Sequence, residues 1–131
     1  MSHLVLDASA GAELLLDTVL GRSIEAQLPQ AREWWVPEHY YLEVAGVLRR
    51  FEARQLVTLA RAATAFSKLR TAQLRRVQVR PLLASAWTRR GHLTIGDALY
   101  VVLAEQLSAT LVTADVNLAR SPGLAVPTIT P

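Results

Sequence analysis

The stretch from Thr94 to Asp115, T-I-G-D-A-L-Y-V-V-L-A-E-Q-L-S-A-T-L-V-T-A-D, constrains this chain more than any other. A helix beginning at Asp97 runs through Ala98, Leu99, Tyr100, Val101, Val102, Leu103 and Ala104, apolar on nearly every face. A helix of that kind belongs in an interior, so the carboxylate at its head must enter a protein interior or the floor of a cleft. A charge placed there requires a partner, a metal or a function. A short β-run, Thr110 to Thr113, follows and leads to a second carboxylate, Asp115.

Around this stretch, strand and helix signals alternate. His3-Leu4-Val5-Leu6 reads as a strand ending in Asp7. Ser9 then caps a helix over Ala10–Asp17, Gly21 breaks it, and a second helical piece, Arg22–Leu28, stops at Pro29. Trp34-Trp35-Val36 is a second strand closed by Pro37. From Glu38 to Glu52 the period is helical, with Tyr40, Tyr41, Val44, Val47, Leu48 and Phe51 on one arc. A helix over Thr58–Ala72, a weak strand over Arg75–Val79, and a helix from Pro81 to Arg90 ended by Gly91 come next. After the Thr110–Thr113 strand, a short helix over Val116–Arg120, a Ser121-Pro122-Gly123 turn and an edge strand over Val126–Thr130 complete the chain. The alternation predicts an α/β fold: a central parallel sheet flanked by helices on both faces. At 131 residues, one domain spanning 1–131 is expected.

The chain is 51% hydrophobic and 19% charged, which fits a packed globule and not a disordered segment. It has no cysteine, so disulfides, thiolate metal sites and cysteine nucleophiles are excluded. The N-terminal residues lack the basic flank and long apolar core of a secretory signal. Apolar runs fall well short of the ~20 residues of a membrane span, so a soluble cytoplasmic protein is expected. The formal net charge is only +3, but between Arg49 and Arg90 eleven cations face a single acid, Glu52. All but Lys68 are arginines, whose planar forks suit phosphate; the block points to nucleic acid or to an acidic partner.

The acids carry the chemistry. Of four aspartates, Asp7 ends the first strand, Asp97 heads the buried helix and Asp115 follows the Thr110–Thr113 strand. In a parallel α/β sheet, ligands bind beyond the carboxyl ends of the strands. Glu43 joins them: at about 100° per residue it lies beside Tyr40 and Val47, on the border of its helix's apolar arc. Four converging carboxylates repel one another and raise each other's pKa. A magnesium or manganese ion resolves the conflict, because these hard cations take carboxylate oxygens. Such an ion activates water and neutralises charge on a phosphoryl group. Acids for a metal beside cations for a phosphate backbone describe a phosphodiesterase acting on nucleic acid. Ser9 and Thr113 are candidate supports, each two residues from an acid. Asn117 and Arg120 are candidates for the cleft wall, whereas His3, His39 and His92 lack ligand spacing and are expected on the surface or in the core. Each acid also has a purely structural reading: Asp7 and Asp115 as caps, Asp97 in a capping box with Thr94, Glu43 paired with Arg50 or Arg22. The joint occurrence carries the functional inference.

Four passages in order, L-V-L-D-A-S at Leu4–Ser9, Y-L-E-V-A-G-V-L-R-R at Tyr41–Arg50, G-D-A-L-Y-V-V-L-A-E at Gly96–Glu105 and L-V-T-A-D at Leu111–Asp115, resemble the PIN-domain ribonucleases. The chain is most similar to the VapC toxins of bacterial toxin–antitoxin pairs. The resemblance implies a three-layer α/β sandwich and a magnesium- or manganese-dependent endoribonuclease. In it, Asp7, Glu43, Asp97 and Asp115 are the catalytic, metal-holding quartet. It also implies a homodimer acting on RNA and a cognate antitoxin whose C-terminal segment fills the cleft. Two departures, Gly46 where the family often has Asn and Gly96 where it often has a larger residue, predict a looser site. The alternative is a degenerate domain of this fold that only binds protein or RNA, and the intact quartet argues against it. Haloacid-dehalogenase-type phosphatases require a second Asp where this chain has Ser9, and receiver domains require a strand-end Lys, whereas Lys68 lies in an expected helix.

Overall fold

The computed structural model describes residues 1–131. Five short strands, β1 (Ser2–Leu6), β2 (Arg32–Pro37), β3 (Arg75–Val77), β4 (Thr110–Val112) and β5 (Thr128–Ile129), form one sheet in the order β3-β2-β1-β4-β5. Every pairing is parallel, as the alternation of strand and helix signals predicts. Between β1 and β3 lie α1 (Ala8–Leu16), α2 (Val19–Glu25), α3 (Tyr40–Ala53) and α4 (Leu59–Thr71). Between β3 and β4 lie a 3₁₀ turn (Arg80–Leu82), α5 (Leu83–Trp87) and α6 (Ile95–Leu107), and α7 (Val116–Ala119) precedes β5.

The chain starts mid-sheet, steps outward through β2 to β3, then returns across β1 to add β4 and β5. Crossovers between parallel strands are right-handed, so reversing the direction of travel puts the later helices on the opposite face. Accordingly α1 to α4 pack on one another, while α6 packs on α5 and against β1, β2 and β4. Strand order reverses between β1 and β4, and such a switch point opens a crevice at the carboxyl ends of those two strands. The residues there are Asp7 and, just beyond β4, Asp115.

The segment from Ala98 to Ala104 is buried at every position, as its apolar run requires, and belongs to a core cluster of 27 residues that includes β1, β4 and the inner faces of α1, α3 and α4. No helix is long and apolar enough to cross a membrane.

Several boundaries differ from the sequence reading for local reasons. Asp7, not Ser9, caps α1, its Oδ1 accepting from the Ala10 N–H at 2.9 Å. The break after α1 is Asp17, which adopts a left-handed conformation with φ 53°, and not Gly21. Gly21 lies within α2, where a β-carbon would collide with the Glu13 carbonyl, so glycine there permits close helix packing. The helix expected from Pro81 to Arg90 is shorter, a 3₁₀ turn and then α5 ending at Trp87, before Gly91. Thr94 caps the long buried helix, which therefore starts at Ile95, two residues before Asp97.

Candidate active site

The four predicted acids, each supplied by a different part of the chain, line one cleft of about 410 Å³ at the switch point. Asp7 enters from the β1–α1 junction, Glu43 from the first turn of α3, Asp97 from the first turn of α6, and Asp115 from the cap of α7. Ser9, Arg50, Tyr100 and Leu42 share the lining.

Asp7 is only 3% exposed and both its oxygens are held. Oδ1 accepts from Ser9 Oγ at 2.7 Å and from the Ala10 N–H, and Oδ2 accepts from Thr113 Oγ1. Burial pushes its pKa up to about 6 despite these three hydrogen bonds, and the charge of Asp97 adds to the rise. Desolvation outweighs the donors because a buried carboxylate gives up water on every side. Thr113 is fully buried and joins the two strand ends: while donating to Asp7, its hydroxyl accepts the Asp115 N–H at 3.0 Å. Ser9 is tied in the same way, accepting the Ala114 N–H at 3.0 Å. Ser9 and Thr113, expected as supports each two residues from an acid, both donate to Asp7; Thr113 meets Asp115 only through its main-chain N–H.

The other three acids are more open. Asp97 is partly exposed; its pKa is raised by burial first, then by the charges of Asp115 and Glu43, with the Thr94 hydroxyl and His39 opposing. Glu43 Oε1 accepts from Tyr100 Oη at 2.7 Å and lies 3.4 Å from His39 Nε2; neither Arg50 nor Arg22 is its partner. Asp115 is exposed and caps α7, with Oδ1 accepting the Asn117 and Leu118 N–H groups at 2.9 and 3.3 Å. Its structural reading as a cap is therefore correct, but Oδ2 still accepts no hydrogen bond.

No three of these side chains converge tightly enough to enclose an ion as they stand. The donor set nonetheless suits a hard divalent cation: carboxylate oxygens only, no thiolate, and mutual repulsion focused on Asp97. Glu43 Oε2 and Asp115 Oδ2 have no competing donors.

Sequence reasoning missed two residues. His39 and Tyr100 both contact Glu43, and their rings lie 4.7 Å apart between centroids. The available signal was helical spacing: His39 is four residues before Glu43, and Tyr100 three after Asp97. Conversely, the basic block is scattered. Of its members only Arg50 lines the cleft. Arg61 donates to the Leu16 carbonyl, Arg89 pairs with Glu105, and Arg90 lies 4.5 Å over the Trp87 ring. Arg70, Arg75 and Arg76 line a larger groove of about 670 Å³ with Trp34 and Tyr41, but its one carboxylate, Glu33, is paired with Arg75 at 2.8 Å. That groove has the space without the chemistry. Asn117 and Arg120 are not among the lining residues of the acidic cleft.

Similarity to known proteins agrees with this geometry. Ribonuclease VapC12 of Mycobacterium tuberculosis is 34% identical over 120 residues, covering 92% of each chain. Ribonuclease VapC3 of the same organism is 38% identical over 120 residues, covering 91% of this chain and 87% of its own. In fold, the chain resembles Mycobacterium tuberculosis VapC20, a sarcin-ricin loop cleaving toxin, with TM-score 0.64 at 15% identity over 88% of this chain and 92% of that one. It also resembles VapBC2 from Rickettsia felis, solved bound to a DNA fragment from their promoter, with TM-score 0.62 at 12% identity over 98% of both. The PIN domain family model matches residues 4–124. A family match running from the first strand to beyond α7, over a parallel sheet with acids at its switch point, means that this chain belongs to the PIN domain family.

Proposed function

We propose that residues 1–131 form a single nuclease domain, a metal-dependent endoribonuclease acting as the toxin of a VapBC-type pair in the cytoplasm. The observation that carries this reading is the meeting of Asp7, Glu43, Asp97 and Asp115 in one cleft, from four separate elements. Those acids would hold magnesium or manganese, which when bound supplies Lewis-acid stabilisation of phosphoryl charge and a more acidic water.

The chain's own residues do the rest. Arg50, on the cleft wall, offers a guanidinium to a scissile phosphate. Asp115, the most exposed of the acids, has a free oxygen to accept a hydrogen bond from the attacking water. Ser9 and Thr113 hold Asp7 so that its carboxylate faces the cleft in a single orientation. Water adds at phosphorus and gives up a proton to Asp115, the bond between phosphorus and the leaving sugar oxygen breaks, and that oxygen takes a proton from solvent at the open side.

Among chains of similar fold, one is from a toxin–antitoxin complex of Klebsiella pneumoniae and another from a member of the VapBC family of toxin–antitoxin systems, which supports an antitoxin as partner. An arginine or lysine of that partner would neutralise the acidic cleft. Homodimerisation is part of the proposal; exposed apolar side chains such as Leu42 (78%) and Trp87 (59%) suit a second copy.

Cleavage of structured RNA with manganese or magnesium tests the reading, with Asp97→Asn as control. Metal-dependent cleavage that the variant loses, and that the product of the adjacent gene suppresses, is expected. Cleavage in chelator, or full activity in the variant, overturns it.

A further inference from the structure

Asp7 and Asp115 each accept a main-chain N–H, whereas Glu43 accepts none, and the structure gives it a different kind of support. Tyr100, buried to 1% exposure in the middle of the interior helix, points its hydroxyl out of the core and donates to Glu43 Oε1 at 2.7 Å. His39 wedges beneath, its Nε2 3.1 Å from the Gly96 carbonyl and 3.4 Å from the same Glu43 oxygen. The other carboxylate oxygen, Oε2, occupies the place of a side chain that residue 96 does not have: a β-carbon there would sit 2.7 Å from it. Gly96 is thus no slack in the site. Its missing side chain is the socket for Glu43.

We infer that Tyr100 and Gly96 are positioning residues that set the orientation of Glu43 for the metal, Tyr100 by holding one oxygen and Gly96 by admitting the other. The inference rests on the metal-site reading above. Its physical basis is that Glu43 is a flexible side chain, 38% exposed, with three torsions to restrain and no main-chain donor to restrain them. A ligand free to rotate binds a cation less tightly than one held in place, and loss of an outer partner typically lowers metal affinity about 10–100-fold.

Gly96→Ala separates positioning from folding. Alanine is the better helix former, and the only atom it crowds severely is the far end of a mobile side chain. The fold should therefore persist while the carboxylate rotates away. Tyr100→Phe removes only the hydroxyl.

The experiment is a manganese titration followed by electron paramagnetic resonance on full-length wild type, Tyr100→Phe, Gly96→Ala, Asp97→Asn and the same two positioning substitutions in a Glu43→Ala background, with thermal midpoints measured in parallel. Wild type should bind and Asp97→Asn should not. Each positioning variant should bind about tenfold more weakly, with the Gly96→Ala midpoint unchanged or raised, and neither substitution should weaken binding further once Glu43 is alanine. Wild-type affinity in folded Gly96→Ala, or additional loss in the Glu43→Ala background, overturns the positioning role while leaving the metal site intact. Equal binding by wild type and Asp97→Asn overturns the metal site itself, and the positioning role with it.

Discussion

Asp7 and Asp115 follow neighbouring strands and are bridged by one threonine hydroxyl, yet they stand in opposite physical situations. Asp7 is buried, with both oxygens engaged and its charged form disfavoured. Asp115 is exposed, capping a single turn of helix with one oxygen and presenting the other to solvent. The closed wall of the cleft is preorganised at the expense of stability; the open wall leaves room for water and substrate.

The largest effect expected from this contrast is at Asp7. Its folded pKa of about 6 lies above the unfolded value of 3.8, so the folded protein holds the proton more tightly. Stability linked to this group is fully present below the unfolded value and is lost as pH rises through about 6. Asp7→Asn, which keeps the shape and removes the charge, should abolish cleavage while stabilising the metal-free protein at pH 8 by about 3 kcal/mol. Urea unfolding in chelator at pH 5 and pH 8 measures it: wild type should lose more stability between the two than the variant, which keeps only the smaller contribution of Asp97. A variant less stable than wild type at pH 8 would mean that the hydrogen bonds to Asp7 outweigh its burial.

Thr113→Val probes the bridge between the walls. Valine fills the same fully buried volume but leaves the Asp115 N–H unpartnered and Asp7 short of one donor. A loss of about 1–3 kcal/mol is expected in the same unfolding assay. Cleavage should fall as well, because both strand-end acids lose their common anchor.

The smallest change in stability belongs to Asp115→Asn. Asparagine caps helices about as well as aspartate, so the shift should stay within about 0.5 kcal/mol. If the open wall serves chemistry, cleavage must nevertheless drop sharply. Unchanged cleavage would reduce Asp115 to its structural role and leave a three-acid site.

The contrast also explains what could be read in advance. Asp7, Asp97 and Asp115 were legible because strand ends and helix starts are marked by local pattern, and a parallel sheet gathers its strand ends by topology. Glu43 was legible only as a residue on the border of an amphipathic arc. Tyr100 was hidden inside an apolar run, where a tyrosine looks like any other core residue. His39 was set aside for want of ligand spacing, and its contacts come from an element 57 residues away, the Gly96 carbonyl on α6. The arginine block misled in the other direction: a charge run along the chain is dispersed as soon as its helices and strand face different ways, and Arg50 alone remains on the cleft wall.

The amino-acid sequence by itself determined the alternating elements, the buried helix and the carboxylates just past β1 and β4, because these follow from periodicity, propensity and caps within a few residues of each position. Only the tertiary structure decided which side chains surround each acid. Burial of Asp7 beneath Thr113, and the seating of Glu43 in the space left by Gly96 under the Tyr100 hydroxyl, depend on contacts between residues 53 to 106 positions apart, which no local pattern encodes.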